Sequence, residues 1–239
     1  MPGSGLLGTK MAELLEMPHS TVTTAIKALR ADRMLNIKGR GTSAAQMTAD
    51  DAAAILVGIM SAAISADMPK IARLLLDMPC RIFMRDGRIV EPDTSESGQG
   101  GAAFGPRPHG FIDGLRDLFP ETVSPRSGPS WSATAGAGPF FGEGDEVSVT
   151  VGVDGHRKKG FAVLEFAFGG GSPNKNFYST CERHEERPAE KDAKDLGLGF
   201  YRKAPPFVFS ATVSGRALFA IGKFLADGSE ATVESLLRE

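Results

Sequence analysis

The chain has 239 residues, of which 41% are hydrophobic, and this is enough apolar material for two modest domains with real cores. Its formal net charge of −2 excludes a protein whose whole surface binds nucleic acid, so any such contact must be a local patch. The two cysteines are too few for a disulfide framework. The first residues lack a signal-peptide pattern and the longest apolar run is too short to span a bilayer, so we expect a cytoplasmic protein without a membrane segment.

Residues 9–29 have the pattern of two short helices separated by a tight turn at Met17 and Pro18. The second helix carries Val22, Ile26 and Leu29 at i, i+4 and i+7, the spacing of a helix packed on one face. Its other face carries hydroxyl groups and basic side chains, which suit the DNA major groove. Hydroxyl groups reach phosphates and the edges of nucleobases, and cationic side chains neutralise the charge of the DNA backbone. The alternative is a helical hairpin that only packs into an α-helical core.

This stretch resembles the helix-turn-helix of bacterial winged-helix transcription regulators. The matching positions are Ala12 in the first helix, Leu15 and Met17 at the turn, Ser20, Thr21 and Val22 at the start of the second helix, Ile26 within it, and Leu29. The resemblance implies a recognition helix near residues 19–33. Two departures are visible: the turn position that usually holds Gly is Glu16, and only eight residues precede Thr9, where such domains normally have another helix.

The segment after the second helix is short, rich in Gly and cationic. Residues 37–43 lie where a winged-helix protein has its wing, and they also resemble Gly/Arg arms that enter a narrow minor groove. The segment from Ser20 to Ser43 contains five basic residues and one acidic residue, Asp32. The residues that we expect to contact DNA are His19, Ser20, Thr21, Thr23, Thr24, Lys27, Arg30, Lys38 and Arg40.

The rest of the N-terminal part, residues 1–90, predicts additional helices and a hairpin. Thr48 is placed to cap a helix that carries a wide apolar stripe over residues 52–63, and a second helix begins near Asp67. These helices are expected to supply the packing partner of the helix pair, or alternatively a dimer interface. Apolar and basic residues alternate over residues 80–90 on both sides of Asp86 and Gly87, and this pattern predicts a small hairpin.

Residues 91–144 contain 18 Gly or Pro among 54 residues, against 44 of 239 in the whole chain, which predicts linkers and loops. One helix is expected at residues 109–119, with Phe111, Ile112, Leu115 and Leu118 buried. The single tryptophan, Trp131, is expected to anchor a loop to a core.

Residues 145–239 predict an α+β domain for oligomerisation, or for binding a partner or an effector. Valines alternate with polar residues over residues 147–153, and further strands are expected at residues 161–168 and 207–213. Ser214 and Ser229 are each expected to cap a helix. The complete fold class is therefore α+β: an N-terminal helical (winged) helix-turn-helix domain and a C-terminal antiparallel sheet covered by helices.

No catalytic pair, metal site or cofactor motif can be argued from spacing. Cys181 and His184 have a metal-ligand spacing but lack two further ligands. We therefore expect a non-enzymatic, cofactor-free regulator that binds double-stranded DNA as a homodimer, since operators are usually two-fold. Two alternatives stay open: an effector-responsive sensor with a small-molecule or protein partner at the C-terminal domain, and a phage-type DNA-targeting assembly or packaging protein.

Overall fold

The computed structural model describes residues 3–35, 47–64, 67–85, 88–90, 109–117, 119, 146–154, 159–167, 174–179 and 208–227. These ranges form six helices and a six-stranded antiparallel sheet, so the predicted α+β class is confirmed. Helices in this part of the chain are all too short or too polar to cross a membrane.

Along the chain, four helices are followed by two strands, one helix, four strands and a last helix. The helices are α1 (Ser4–Leu14), α2 (His19–Ala31), α3 (Ala49–Ile64), α4 (Met68–Leu76), α5 (Phe111–Asp117) and α6 (Gly215–Asp227). The strands are β1 (Cys80–Arg85), β2 (Arg88–Val90), β3 (Glu146–Asp154), β4 (Gly160–Ala167), β5 (Asn174–Ser179) and β6 (Val208–Ser214).

The strand order in the sheet is β2-β1-β5-β4-β3-β6, and every neighbouring pair is antiparallel. The predicted hairpin is confirmed, with Phe83 opposite Val90. Strand β5 was not predicted, because its sequence, NKNFYS, shows no clear apolar alternation. It nevertheless joins β1 to β4, so the hairpin at residues 80–90 belongs to the same sheet as the strands from residues 146–214.

One face of the sheet packs against the helices. The alternating Val149, Val151 and Val153 of β3 are fully buried, as the sequence pattern predicts for a half-buried strand. They share a continuous hydrophobic core with residues of α1, α2, α3, α4 and α6. Within this layer of helices, α1 contacts α2 and α6, and α2 contacts α3 and α4.

Helix α3 lies at the centre of this core. Thr48 and Asp51 form reciprocal hydrogen bonds at its start: the backbone N–H of Thr48 donates to Oδ2 of Asp51 at 2.9 Å, and the N–H of Asp51 donates to Oγ1 of Thr48 at 3.2 Å. The predicted cap is thus confirmed. Residues 52–60 are buried within the chain, so this part of the apolar stripe belongs to the core, as the first of the two alternatives predicts.

Several predictions from the sequence lie outside the described residues. These are the wing at residues 37–43, the loop around Trp131 and the last helix from Ser229. The helix predicted at residues 109–119 is present as α5, which is shorter, with Phe111, Leu115 and the following Phe119 fully buried.

A close approach of α1 to α2 at Gly8 provides a test of this packing. A methyl group at Gly8 would lie 2.7 Å from Cδ1 of the buried Ile26, whereas nothing lies within 4 Å of the same position at Gly5. We expect Gly8→Ala to lower the free energy of unfolding by about 1–3 kcal/mol through overpacking. Gly5→Ala should instead raise it by up to about 1 kcal/mol because Ala favours helix. Urea unfolding of both variants measures this, and equal effects would contradict the packing.

Candidate nucleic-acid interface

The turn between α1 and α2 contains a residue in the left-handed backbone region. Glu16 has φ 51°, so this glutamate adopts a backbone conformation that favours Gly. The backbone N–H of Met17 donates to the carbonyl of Ala12 at 2.9 Å, and that of Glu16 donates to Glu13 at 3.2 Å. These two bonds close α1 as a Schellman motif and fix the direction of the chain into α2.

The apolar side of α2 is sealed, as the sequence predicted. Val22, Ile26 and Leu29 are all buried, and α2 contacts α1, α3 and α4. The contact with α3 is close because Gly58 faces Leu29: a methyl group at Gly58 would lie 2.6 Å from Cδ1 of Leu29. Helices α3 and α4 therefore support α2 on its buried side.

The other side of α2 faces solvent to different degrees along its length. His19, Ser20, Thr24 and Lys27 are exposed. Thr21, Thr23 and Arg30 are partly exposed. Seven of the predicted DNA-contacting residues thus lie on one helix with solvent access, and Lys38 and Arg40 lie outside the described residues.

His19 is held between two threonine hydroxyls. Its Nε2 lies 3.1 Å from Oγ1 of Thr9, and its Nδ1 lies 3.3 Å from Oγ1 of Thr23. Because the Thr9 hydroxyl donates to the carbonyl of Gly5 at 3.1 Å, we assign it as the acceptor from Nε2–H of His19. Nδ1 then accepts from Thr23. This arrangement, which sequence patterns do not disclose, connects the first turn of α2 to α1.

Arg30 points towards the start of α1. Its guanidinium donates to Oγ of Ser4, so it holds the two helices together while it keeps its positive charge near the exposed face. Lys27, Arg30 and Arg33 are the cations of residues 19–33, and Asp32 is the acid. The carboxylate of Asp32 lies 3.1 Å from the guanidinium of Arg73 on α4, which offsets its charge. Three cations and one acid give residues 19–33 a formal charge of +2.

Other reactive chemistry is weak in the described part of the chain. Burial raises the pKa of the Cys80 thiol from 9.0 to about 12, so it stays protonated and is a poor nucleophile near pH 7. No cluster of three or more His, Cys, Asp or Glu side chains in the described ranges is placed to hold a metal ion. Cys181 and His184 lie outside those ranges.

Comparisons with protein-family models, with curated proteins and with solved structures found no match for this chain.

The strained turn predicts an unusual response to glycine substitution. Glu16→Gly should raise the free energy of unfolding by up to about 1 kcal/mol, because Gly adopts a positive φ without steric cost. Glu13→Gly, inside α1, should lower it by about 1 kcal/mol or more, because Gly is unfavourable within a helix and because the variant also loses the ion pair of Glu13 with Lys10 at 3.5 Å. Denaturant midpoints of the two variants report the difference. A loss of stability in both would mean that residue 16 does not adopt the left-handed conformation.

Proposed function

We propose that the chain is a sequence-specific, non-enzymatic DNA-binding regulator that inserts the exposed face of α2 into the major groove. One observation carries this proposal: the aliphatic side of α2 is buried, whereas its Thr- and Lys-bearing side is accessible. Every amphipathic surface helix exposes a polar face, and the face of α2 differs from most in its composition, which is rich in hydroxyls and contains no acidic residue.

The dimensions and chemistry of α2 suit this role. Its 13 residues extend over about 20 Å, enough to lie across a major groove about 12 Å wide. Pro18 at the N-cap position provides no side-chain hydrogen bond. The backbone N–H of Thr21 donates to the carbonyl of Pro18 at 2.9 Å, so the N–H groups that precede it in α2 are the ones suited to a phosphate oxygen. Lys27 is the exposed cation at the middle of the helix.

Phosphate contacts and base contacts are divided along the helix in this proposal. Lys27, Ser20 and the first backbone amides position the helix on the phosphates, and Thr24 reads a base edge or a thymine methyl. The hydrogen bond between His19 and Thr23 orients the first turn of α2. Lys38 and Arg40 add cations from the segment that follows, and a homodimer places two such helices on a two-fold site.

The phosphate contact of Lys27 is testable by salt dependence. Each phosphate that a cation neutralises releases counterions, so Lys27→Ala should weaken binding to all duplexes and make the slope of log K against log salt shallower by about one unit. Lys175→Ala is the matched control, because it removes the same charge from β5, where Lys175 pairs with Glu165 at 2.8 Å. Fluorescence anisotropy at several salt concentrations measures both slopes. Equal slopes for the two variants would mean that Lys27 does not contact a DNA phosphate.

The base contact of Thr24 is testable by sequence preference. After selection of a preferred duplex from a random library, Thr24→Ala should reduce the ratio of preferred to random affinity by up to about tenfold, with the salt slope unchanged. Ser210→Ala removes an exposed hydroxyl from β6 and should leave the ratio unchanged. If the Thr24→Ala variant keeps its full sequence preference, the nucleobases do not contact this face of α2.

A further inference from the structure

Three polar side chains form a hydrogen-bonded bridge across the junction of α1 and α2. Nε2 of His19 lies 3.1 Å from Oγ1 of Thr9 on α1, and Nδ1 lies 3.3 Å from Oγ1 of Thr23, one turn further along α2. A neutral imidazole has one N–H and one bare nitrogen, so it donates at one end of this bridge and accepts at the other. The direction of the bridge therefore decides what the Thr23 hydroxyl can offer to a ligand.

The two threonines differ in where their hydroxyl protons go. The Thr9 hydroxyl donates to the backbone carbonyl of Gly5 at 3.1 Å, so its oxygen is left to accept from Nε2–H of His19. Nδ1 is then the bare nitrogen. Within the part of the chain that the structure describes, Nδ1 of His19 is the partner of the Thr23 hydroxyl, which therefore donates its proton to the imidazole.

The oxygen of Thr23 is consequently an acceptor for any further partner. Its single proton is used within the protein, and its two lone pairs are left. The side chain is partly exposed, and the exposed Ser20, Thr24 and Lys27 surround it on the solvent-facing side of α2. Lys27 lies one helical turn beyond Thr23, so the two side chains are neighbours on the surface of the helix.

An acceptor that has no proton to give distinguishes between the bases of DNA. In the major groove, adenine and cytosine present exocyclic amino groups, which are donors, whereas guanine and thymine present carbonyl oxygens. An amino group can donate to the Thr23 oxygen. A carbonyl oxygen in the same place would meet a second oxygen with no hydrogen between them, so both would lose their bonds to water without compensation.

We propose that Thr23 is a specificity-determining residue that accepts a hydrogen bond from the exocyclic amino group of adenine or cytosine in the major groove. His19 is a positioning residue for this contact, because it takes the Thr23 proton and is itself fixed by Thr9. The base contact rests on the proposed function, whereas the direction of the bridge is a property of the protein alone.

Nitrogen NMR of the imidazoles at pH 8 tests the direction of the bridge without DNA. The signals of His19 are those that disappear in His19→Ala. We expect the proton of His19 on Nε2, and we expect Thr23→Val to move the Nδ1 resonance towards that of a nitrogen without a hydrogen bond. Thr212→Val is the matched control: it removes a hydroxyl that bonds to Thr150 at 2.9 Å on the sheet, and it should change neither signal. A proton on Nδ1, or an Nδ1 resonance that Thr23→Val does not move, overturns the proposal.

Base analogues test the contact with DNA. In the preferred duplex, each adenine of the binding site is replaced in turn by purine and each cytosine by 2-pyrimidinone, which removes the amino group alone. One replacement should weaken binding of the unmodified protein by up to about tenfold, the loss of one hydrogen bond, and should have no effect on the affinity of Thr23→Val. Whether this replacement is of adenine or of cytosine identifies the base. Thr212→Val should respond as the unmodified protein does.

The role of His19 has its own readout. His19→Ala releases the Thr23 proton, so the hydroxyl can donate as well as accept. Exchange of the contacted adenine for guanine, or cytosine for thymine, should therefore weaken binding of His19→Ala less than binding of the unmodified protein. An equal loss in the two proteins overturns the positioning role.

The outcomes separate this inference from the proposed function. If every amino-group replacement affects the unmodified protein and Thr23→Val equally, Thr23 does not read a base, and the proposed function stands. If the protein shows no DNA binding or no sequence preference, the proposed function is refuted and the base contact with it. The NMR result reports the direction of the bridge in either case.

Discussion

The burial of α3 is the constraint on which the other elements depend. Its apolar residues surround the helix, so packing on one side would leave the remainder in water. The structure satisfies this by placing α2, α4, α5, α6 and the strands β3 and β6 around it. The sheet and the helix pair are consequently parts of one continuous core, and α2 is held from behind at Leu29 by the close approach of Gly58.

Local strain and local bonding then set the angle and rigidity of the helix pair. The left-handed Glu16 is unfavourable by about 1–2 kcal/mol for a residue with a Cβ, and it persists because the Schellman bonds and the core on both sides determine the turn. The His19 bridge and the Arg30 contact with Ser4 hold the exposed face of α2 in one orientation. A surface that is ordered before binding loses less conformational entropy when it binds.

An exposed ion pair joins the end of α2 to α4. Asp32 is the C-cap residue of the helix whose exposed face we assign to DNA, and its carboxylate lies 3.1 Å from the guanidinium of Arg73 on α4. Both side chains are about half exposed, so water screens the attraction between them. The same property makes the pair a minor contributor to the stability of the fold.

Elements with a strong local signal were predictable: the stripe of Val22, Ile26 and Leu29, the Thr48 cap and the alternating valines of β3 each appear where their periodicity or chemistry requires. The sequence by itself therefore determined the class of elements, the buried side of α2 and the residues on its exposed side. Only the tertiary structure decided that β5 joins the hairpin to the C-terminal strands, that α3 is covered within the chain, and that Arg73 reaches Asp32. These are contacts between residues distant in sequence, and no local pattern of hydrophobicity or charge encodes which distant partner a strand or a side chain meets.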